Sequence, residues 1–176
     1  MSATSPRGRQ AHRVALLVLW VLAAGCGYRF PGEIGLPGGA RGVRVELFEN
    51  RTAEPGLEAI VTQAFAFELS RRGRTAEAGG AGEVLLLRGV IHGVEVRSIS
   101  AARRGSGGER QVTLTVDLRL LGEGGAEVWS APALSASETY TIDAEKILEE
   151  ERRRATLSLA ARRLAEIMVN RLSDDF

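Results

Sequence analysis

Few side chains in this sequence could do covalent chemistry. There is one cysteine, Cys26, and there are two histidines, His12 and His92. A metal centre needs several ligands brought together, and a nucleophilic triad needs a Ser, Cys or Thr beside a base that a third group orients. His92 lies in a run of mostly apolar residues with no other histidine after Cys26, and reads as a satisfied strand residue. Gly105, Gly107 and Gly108 fall between two expected strands and not ahead of a helix, so they form no phosphate cradle. No catalytic group, metal or non-covalent cofactor is indicated, and the residue types favour a binding or assembly protein over an enzyme.

The chemistry that remains centres on Cys26. Arg7, Arg9, His12 and Arg13 precede an uncharged run from Val14 to Gly25, which ends in Leu22-Ala23-Ala24-Gly25 directly before the cysteine. A basic segment, a short apolar stretch and small residues are the order of a secretory signal peptide. About a dozen apolar residues are too few to span a bilayer core, which takes about 20. The junction resembles a bacterial lipobox, departing from it at Ala23, since the leucine stands one residue earlier. That resemblance implies cleavage behind Gly25, a diacylglycerol thioether and an N-acyl lipid on Cys26, and, with Gly27 following, release to the outer membrane. One acyl chain gives only marginal attachment, so two or more are needed for a stable anchor.

These features divide the sequence into a signal peptide at 1–25, a lipidated tether at 26–42 and one domain at 43–176. Removing Arg7, Arg9 and Arg13 with the signal leaves 20 basic against 22 acidic residues. No global positive field then argues for nucleic acid as a partner. A lone cysteine cannot form an intramolecular bridge, so the lack of disulfides is compatible with an oxidising compartment.

The elements that would position any site follow from periodicity. Tyr28 to Gly42 is rich in glycine and proline and reads as a leash. Val43 to Phe48 alternates as a first strand, and Asn50 and Thr52 end it in a loop. Pro55 to Arg72 has helical spacing, with Leu57, Ile60, Val61, Ala64, Phe65, Phe67 and Leu69 as its apolar positions and Gly73 as its stop. Glu83 to Ser100 makes a long strand in which Gly89 and Gly93 mark candidate bulges. Gln111 to Leu121 alternates most cleanly, with Val112, Leu114, Val116, Leu118 and Leu120 on one side and Thr113, Thr115, Asp117 and Arg119 on the other. A fourth strand spans about 127–140, with Pro132 at a bulge or an edge. Asp143 is the expected N-cap of a last helix whose stripe is Leu157, Ala160, Ala161, Leu164, Ile167, Met168 and Leu172. The predicted architecture is α+β, a two-layer sandwich in the order β-α-β-β-β-α, with two helices on one face of a four-stranded mixed sheet and the other face free.

Several stretches together resemble the lipopolysaccharide-assembly lipoprotein family LptE. They are Cys26-Gly27-Tyr28-Arg29-Phe30, Val43 to Asn50 with Thr52, Pro55-Gly56-Leu57-Glu58, Glu68-Leu69 before Arg72-Gly73, Glu138 and Tyr140, and Leu157, Ala160, Ala161 and Leu164-Ala165-Glu166 in the last helix. The resemblance implies the same sandwich. It also implies a role as the plug of the outer-membrane β-barrel LptD, helping that barrel assemble and passing lipopolysaccharide to the outer leaflet. It further implies lipopolysaccharide contact through basic residues in the loop between the second and third strands and at the start of the last helix, which here are Arg103, Arg104, Arg110 and Lys146. The stretch from Val43 to Thr52 also resembles outer-membrane lipoproteins that regulate a periplasmic enzyme, such as a peptidoglycan synthase, or build a secretion assembly. That alternative stays open at this point.

Overall fold

The computed structural model describes residues 35–76, 82–100, 108–142 and 145–176. The elements follow as β1 (Gly42–Val45), β2 (Glu49–Asn50), α1 (Leu57–Arg71), β3 (Val84–Ser100), β4 (Glu109–Leu121), β5 (Glu127–Thr141) and α2 (Lys146–Asp175). The sheet runs β1-β3-β4-β5, and β2 pairs with β3 beyond β1. β1 and β2 lie parallel to β3, while β3, β4 and β5 form an antiparallel meander. The expected α+β class and mixed sheet hold, with two helices over one side.

The strand count is five, not four, because the expected strand from Val43 to Phe48 stops at Val45 and a separate short strand, Glu49–Asn50, follows beyond Phe48, reaching Asn50, where a loop was expected. Regular alternation would bury Leu47, yet Leu47 is 69% exposed and Phe48 is 2% exposed. The Phe48 N–H leaves the ladder to donate to Thr62 Oγ1 (3.0 Å), and that departure switches the parity of the chain. The Phe48 ring then packs on Phe65, with ring centres 5.0 Å apart at a 45° tilt. It occupies the space where a Cβ on residue 89 would sit, so Gly89 is required for close approach and not for a bulge.

The core lies between the sheet and the helices. Leu85, Leu87, Ile91, Val112, Leu114, Val116, Leu118 and Leu120 meet Leu57, Val61, Phe65 and Leu69 of α1 and Leu157, Ala160, Ala161, Leu164, Met168 and Leu172 of α2. Phe67, expected on the apolar face of α1, points outward. α1 starts at Leu57 and not at Pro55, because Gly56 adopts a left-handed conformation (φ 80°) that a helical residue cannot share. α2 starts at Lys146 with Glu145 as its N-cap, and Asp143 lies outside the described residues. In the stretch expected as tether, Leu36, Pro37 and Ala40 are buried around a short 3-10 turn at Pro37–Gly39, so the packed unit takes in residues ahead of Val43.

Proline and bulges shape the meander. β4 and β5 lose register between Val116 and Leu118, where Asp117 faces both Pro132 and Ala133, and Ala133 has φ 49°. β5 is also the edge strand, so Pro132 meets both sequence expectations. β3 and β4 shift register between Ile91 and Gly93, which makes His92 the extra residue.

Candidate functional site

Two of the sequence-predicted site residues, Arg110 and Lys146, are described, and each is placed by its relation to Glu149. Cys26, Arg103 and Arg104 lie outside the described residues. Arg110 opens β4 on the helix-facing side, opposite Tyr140 of β5 and Ser98 of β3. Its guanidinium forms an ion pair with Glu149 in the first turn of α2. The chain after β5 is held to the base of the β3–β4 hairpin by a bond from Ile142 N–H to the Gly108 carbonyl (2.8 Å). Lys146 stands three residues before Glu149, which places both on one helical face within a turn of each other.

The electrostatics of this end are mixed. The guanidinium of Arg110 lies against the Tyr140 hydroxyl, and this approach, followed by the charge of Glu149, raises the Arg110 pKa above its ordinary value. The hydroxyl itself is buried without a hydrogen bond of sound geometry. Arg110 is therefore engaged, and an incoming anion has to compete with Glu149 for its fork of donors. Lys146 is exposed and no ion pair involving it is seen among the described residues.

Exposed apolar side chains occur on the same elements as these cations. Ile147 (75% exposed) and Leu148 follow Lys146, and Val96 and Ile99 sit on the adjoining length of β3. None of the four stood out in the sequence. Val96 fits the apolar alternation of its strand, and the two α2 residues only announce themselves by falling ahead of the buried stripe that begins at Thr156. Cations beside exposed hydrophobic groups suit an amphiphile with anionic headgroups.

The open face of the sheet carries Gln111, Thr113, Thr115, Asp117 and Arg119 of β4 beside Ser130, Ser135, Ser137 and Thr139 of β5, as the alternation predicts. Thr113 and Ser137 hydroxyls are bonded at 2.8 Å. At its centre Asp117 ties three strands, with Oδ2 2.6 Å from His92 Nε2 and Oδ1 accepting the Ala133 N–H at 2.7 Å. The Ala133 N–H holds the Asp117 carboxyl below its ordinary pKa, partial burial pushes back, and His92 adds to the lowering. His92 is thus satisfied, but at a half-exposed bulge. No group of three or more potential metal ligands occurs among the described residues.

Residues of the motif near Asn50 are structural. The Asn50 side chain donates to the Glu54 carbonyl (2.8 Å) and to Glu58 Oε2 (2.9 Å), and its Oδ1 accepts from the Thr52 N–H (2.9 Å) and hydroxyl (2.7 Å). Glu54 forms an ion pair with Arg153, which also pairs with Glu150. This loop therefore couples the end of β2 to both helices. A shallow groove of about 250 Å³ between the helices is lined by Ile60, Gln63, Ala64, Phe67, Ser158 and Arg162, a set with no general acid or base at working distance from a nucleophile.

No curated protein matches the sequence. Among solved structures, a minor lipoprotein from Acinetobacter baumannii is 16% identical, with 77% of this chain and 92% of that one covered at a TM-score of 0.49. A lipoprotein from Caulobacter crescentus CB15 is 19% identical, with 72% and 88% covered at 0.48. The rare lipoprotein B of Shewanella oneidensis is 11% identical, with 75% and 96% covered at 0.44. A family model described as lipopolysaccharide-assembly, LptE, matches residues 40–172. That span takes in every strand and nearly all of both helices, and the chain belongs to the LptE family of lipopolysaccharide-assembly lipoproteins.

Proposed function

We propose that this lipoprotein plugs an LptD-type outer-membrane β-barrel, assists its assembly, and helps deliver lipopolysaccharide to the outer leaflet from the periplasmic face. The family is one of outer-membrane-associated, non-enzymatic lipoproteins. In this reading Cys26 carries the lipid anchor, and Arg103, Arg104, Arg110 and Lys146 contact lipopolysaccharide. The observation that supports it is that Arg110 pairs with Glu149 one helical turn from Lys146, with exposed Ile147 and Leu148 following Lys146 and exposed Val96 and Ile99 on the strand that pairs with Arg110. Phosphates of the lipid accept the cationic donors, and acyl chains lie on the apolar side chains. The protein performs no bond-breaking step; it binds, orients and releases.

Replacing Arg110 and Lys146 together by Glu should weaken lipopolysaccharide binding by roughly tenfold or more, since two charge-assisted contacts become repulsions. Because Arg110→Glu also removes the pair with Glu149, Lys146→Glu alone, which breaks no ion pair seen among the described residues, should weaken binding with the melting transition unmoved. Extending the reversal to Arg103 and Arg104 should deepen the loss. Unchanged binding would reject this site. Affinity purification of the full-length protein from native membranes should recover a barrel of the LptD type. Recovery of a peptidoglycan synthase in its place would favour the regulatory alternative.

A further inference from the structure

The outer edge of β3 changes character at Ile91. β1 covers it from Val84 to Leu87, β2 covers Val90 and Ile91, and the Arg51 N–H donates to the Ile91 carbonyl (3.0 Å) as the last main-chain bond seen on that side. From there β3 continues to Ser100 beside β4 alone, and no described segment pairs with its other edge. Glu95 through Ser100 are exposed, including Val96 (40%) and Ile99 (49%). Unmatched N–H and C=O groups on an exposed strand are a template for another strand. The opposite edge of the sheet, β5, spoils pairing with Pro132 and the positive φ of Ala133. Between its own two register shifts, β3 has no such device, and Gly93 to Ser98 run in unbroken register with β4.

The charges on this run specify what fits it. Glu95 and Arg97 lie on the open face and bond along the strand (Arg97 Nε to Glu95 Oε1, 2.6 Å), both largely exposed. An antiparallel copy of the same strand, related by a two-fold axis through Val96, sets each Glu95 opposite Arg97 of the second copy. Val96 then meets Val96 on the helix-facing side, and Val94 meets Ser98. Centring the axis on Glu95 or on Arg97 opposes like charges, and a shift by one residue would mismatch the faces. One register is therefore selected by the residues present. We propose that the free edge of β3 is a self-association edge, at which two copies pair Val94–Ser98 antiparallel about Val96 and join their sheets into one.

This proposal does not rest on the lipopolysaccharide reading: the two share Val96, but the test reads Glu95 and Arg97, which that reading does not use. A strand-edge contact of this length falls at the low end of interface sizes, below about 1,200 Å², so the dimer is weak and dissociates on dilution. Sedimentation of the full-length protein in detergent, over a dilution series, should report a concentration-dependent dimer. Glu95→Arg and Arg97→Glu should each weaken association by roughly tenfold, and the double reversal should restore it, because the charge pairs across the axis are then rebuilt. Val96→Pro should abolish it by removing a donor at the centre. Circular dichroism of the charge variants should match the parent, which separates loss of pairing from loss of fold. A parent that stays monomeric at the highest concentration would overturn the proposal. So would a dimer indifferent to the single reversals, or one the double reversal fails to restore.

Discussion

Asp117 shows how one side chain can hold three strands at a point where two ladders lose register. Its carboxylate accepts the Ala133 N–H and bonds His92, so its charged form is favoured in the fold and its pKa is lowered. A carboxyl depressed on folding contributes stability above its unfolded pKa, about 3.9, and that contribution is lost as pH falls through the folded value. Asp117→Asn should therefore cost stability near neutral pH and flatten the loss of stability below about pH 4, measured as urea midpoints across an acid series. An identical acid limb in both proteins would show that the clamp contributes nothing. Glu68 is a contrasting case. Its burial works to raise the pKa, but hydrogen bonds from Arg71 and Arg72 prevail and lower it. The Asp117 arrangement was not legible in the sequence, because both of its partners reach it across strand registers that bulges have shifted, whereas the Glu68 pairs lie at the i+3 and i+4 spacing of one helix.

At the scale of elements, periodicity carried far. The alternation of β4 identified its core and solvent faces correctly, and Pro132 announced both an edge and a bulge. Two local features overrode the pattern. The Phe48 amide is captured by Thr62, which reverses the expected faces of Leu47 and Phe48, and Gly56 delays α1 by two residues. Both depend on backbone conformation or on a partner in another element, which alternation does not encode. The loop led by Asn50 is the clearest case of a motif serving structure. Asn50→Ala removes bonds to Glu54, Glu58 and Thr52, and is expected to cost about 1–2 kcal/mol in chemical denaturation, since partly buried main-chain groups lose their partners. Arg153, whose pKa is raised by Glu54 and then by Glu150, transmits that loop's position to α2.

For the molecule as a whole, the two-layer class and the helix-covered side were legible from the order of elements. The inner limit of the tether was not, because glycine and proline dominate residues 35–42 and only their burial identifies the packed ones. Leu36, Pro37 and Ala40 complete the core next to β1. A chain beginning at Val43 should therefore unfold more easily than one beginning at Gly35, by about 2–4 kcal/mol from the lost apolar burial; equal urea midpoints would refute this. Of the candidate site, Arg110 and Lys146 came from the family resemblance and not from the pattern of the sequence itself. The competing carboxylate of Glu149 is 39 residues from Arg110 in the chain and became visible only in the fold.

That carboxylate gives the long last helix an unusual mechanical character. Buried side chains in α2 begin at Thr156, so its first ten residues, about 15 Å of helix, overhang the core like a cantilever. Arg110 props the overhang near its tip through Glu149, and Arg153 props it near its root through Glu54. An anion that takes Arg110 from Glu149 removes the outer prop. Occupancy at the sheet end would then be felt as loosening of the first helical turns, a signal carried by the same residue that is proposed to bind.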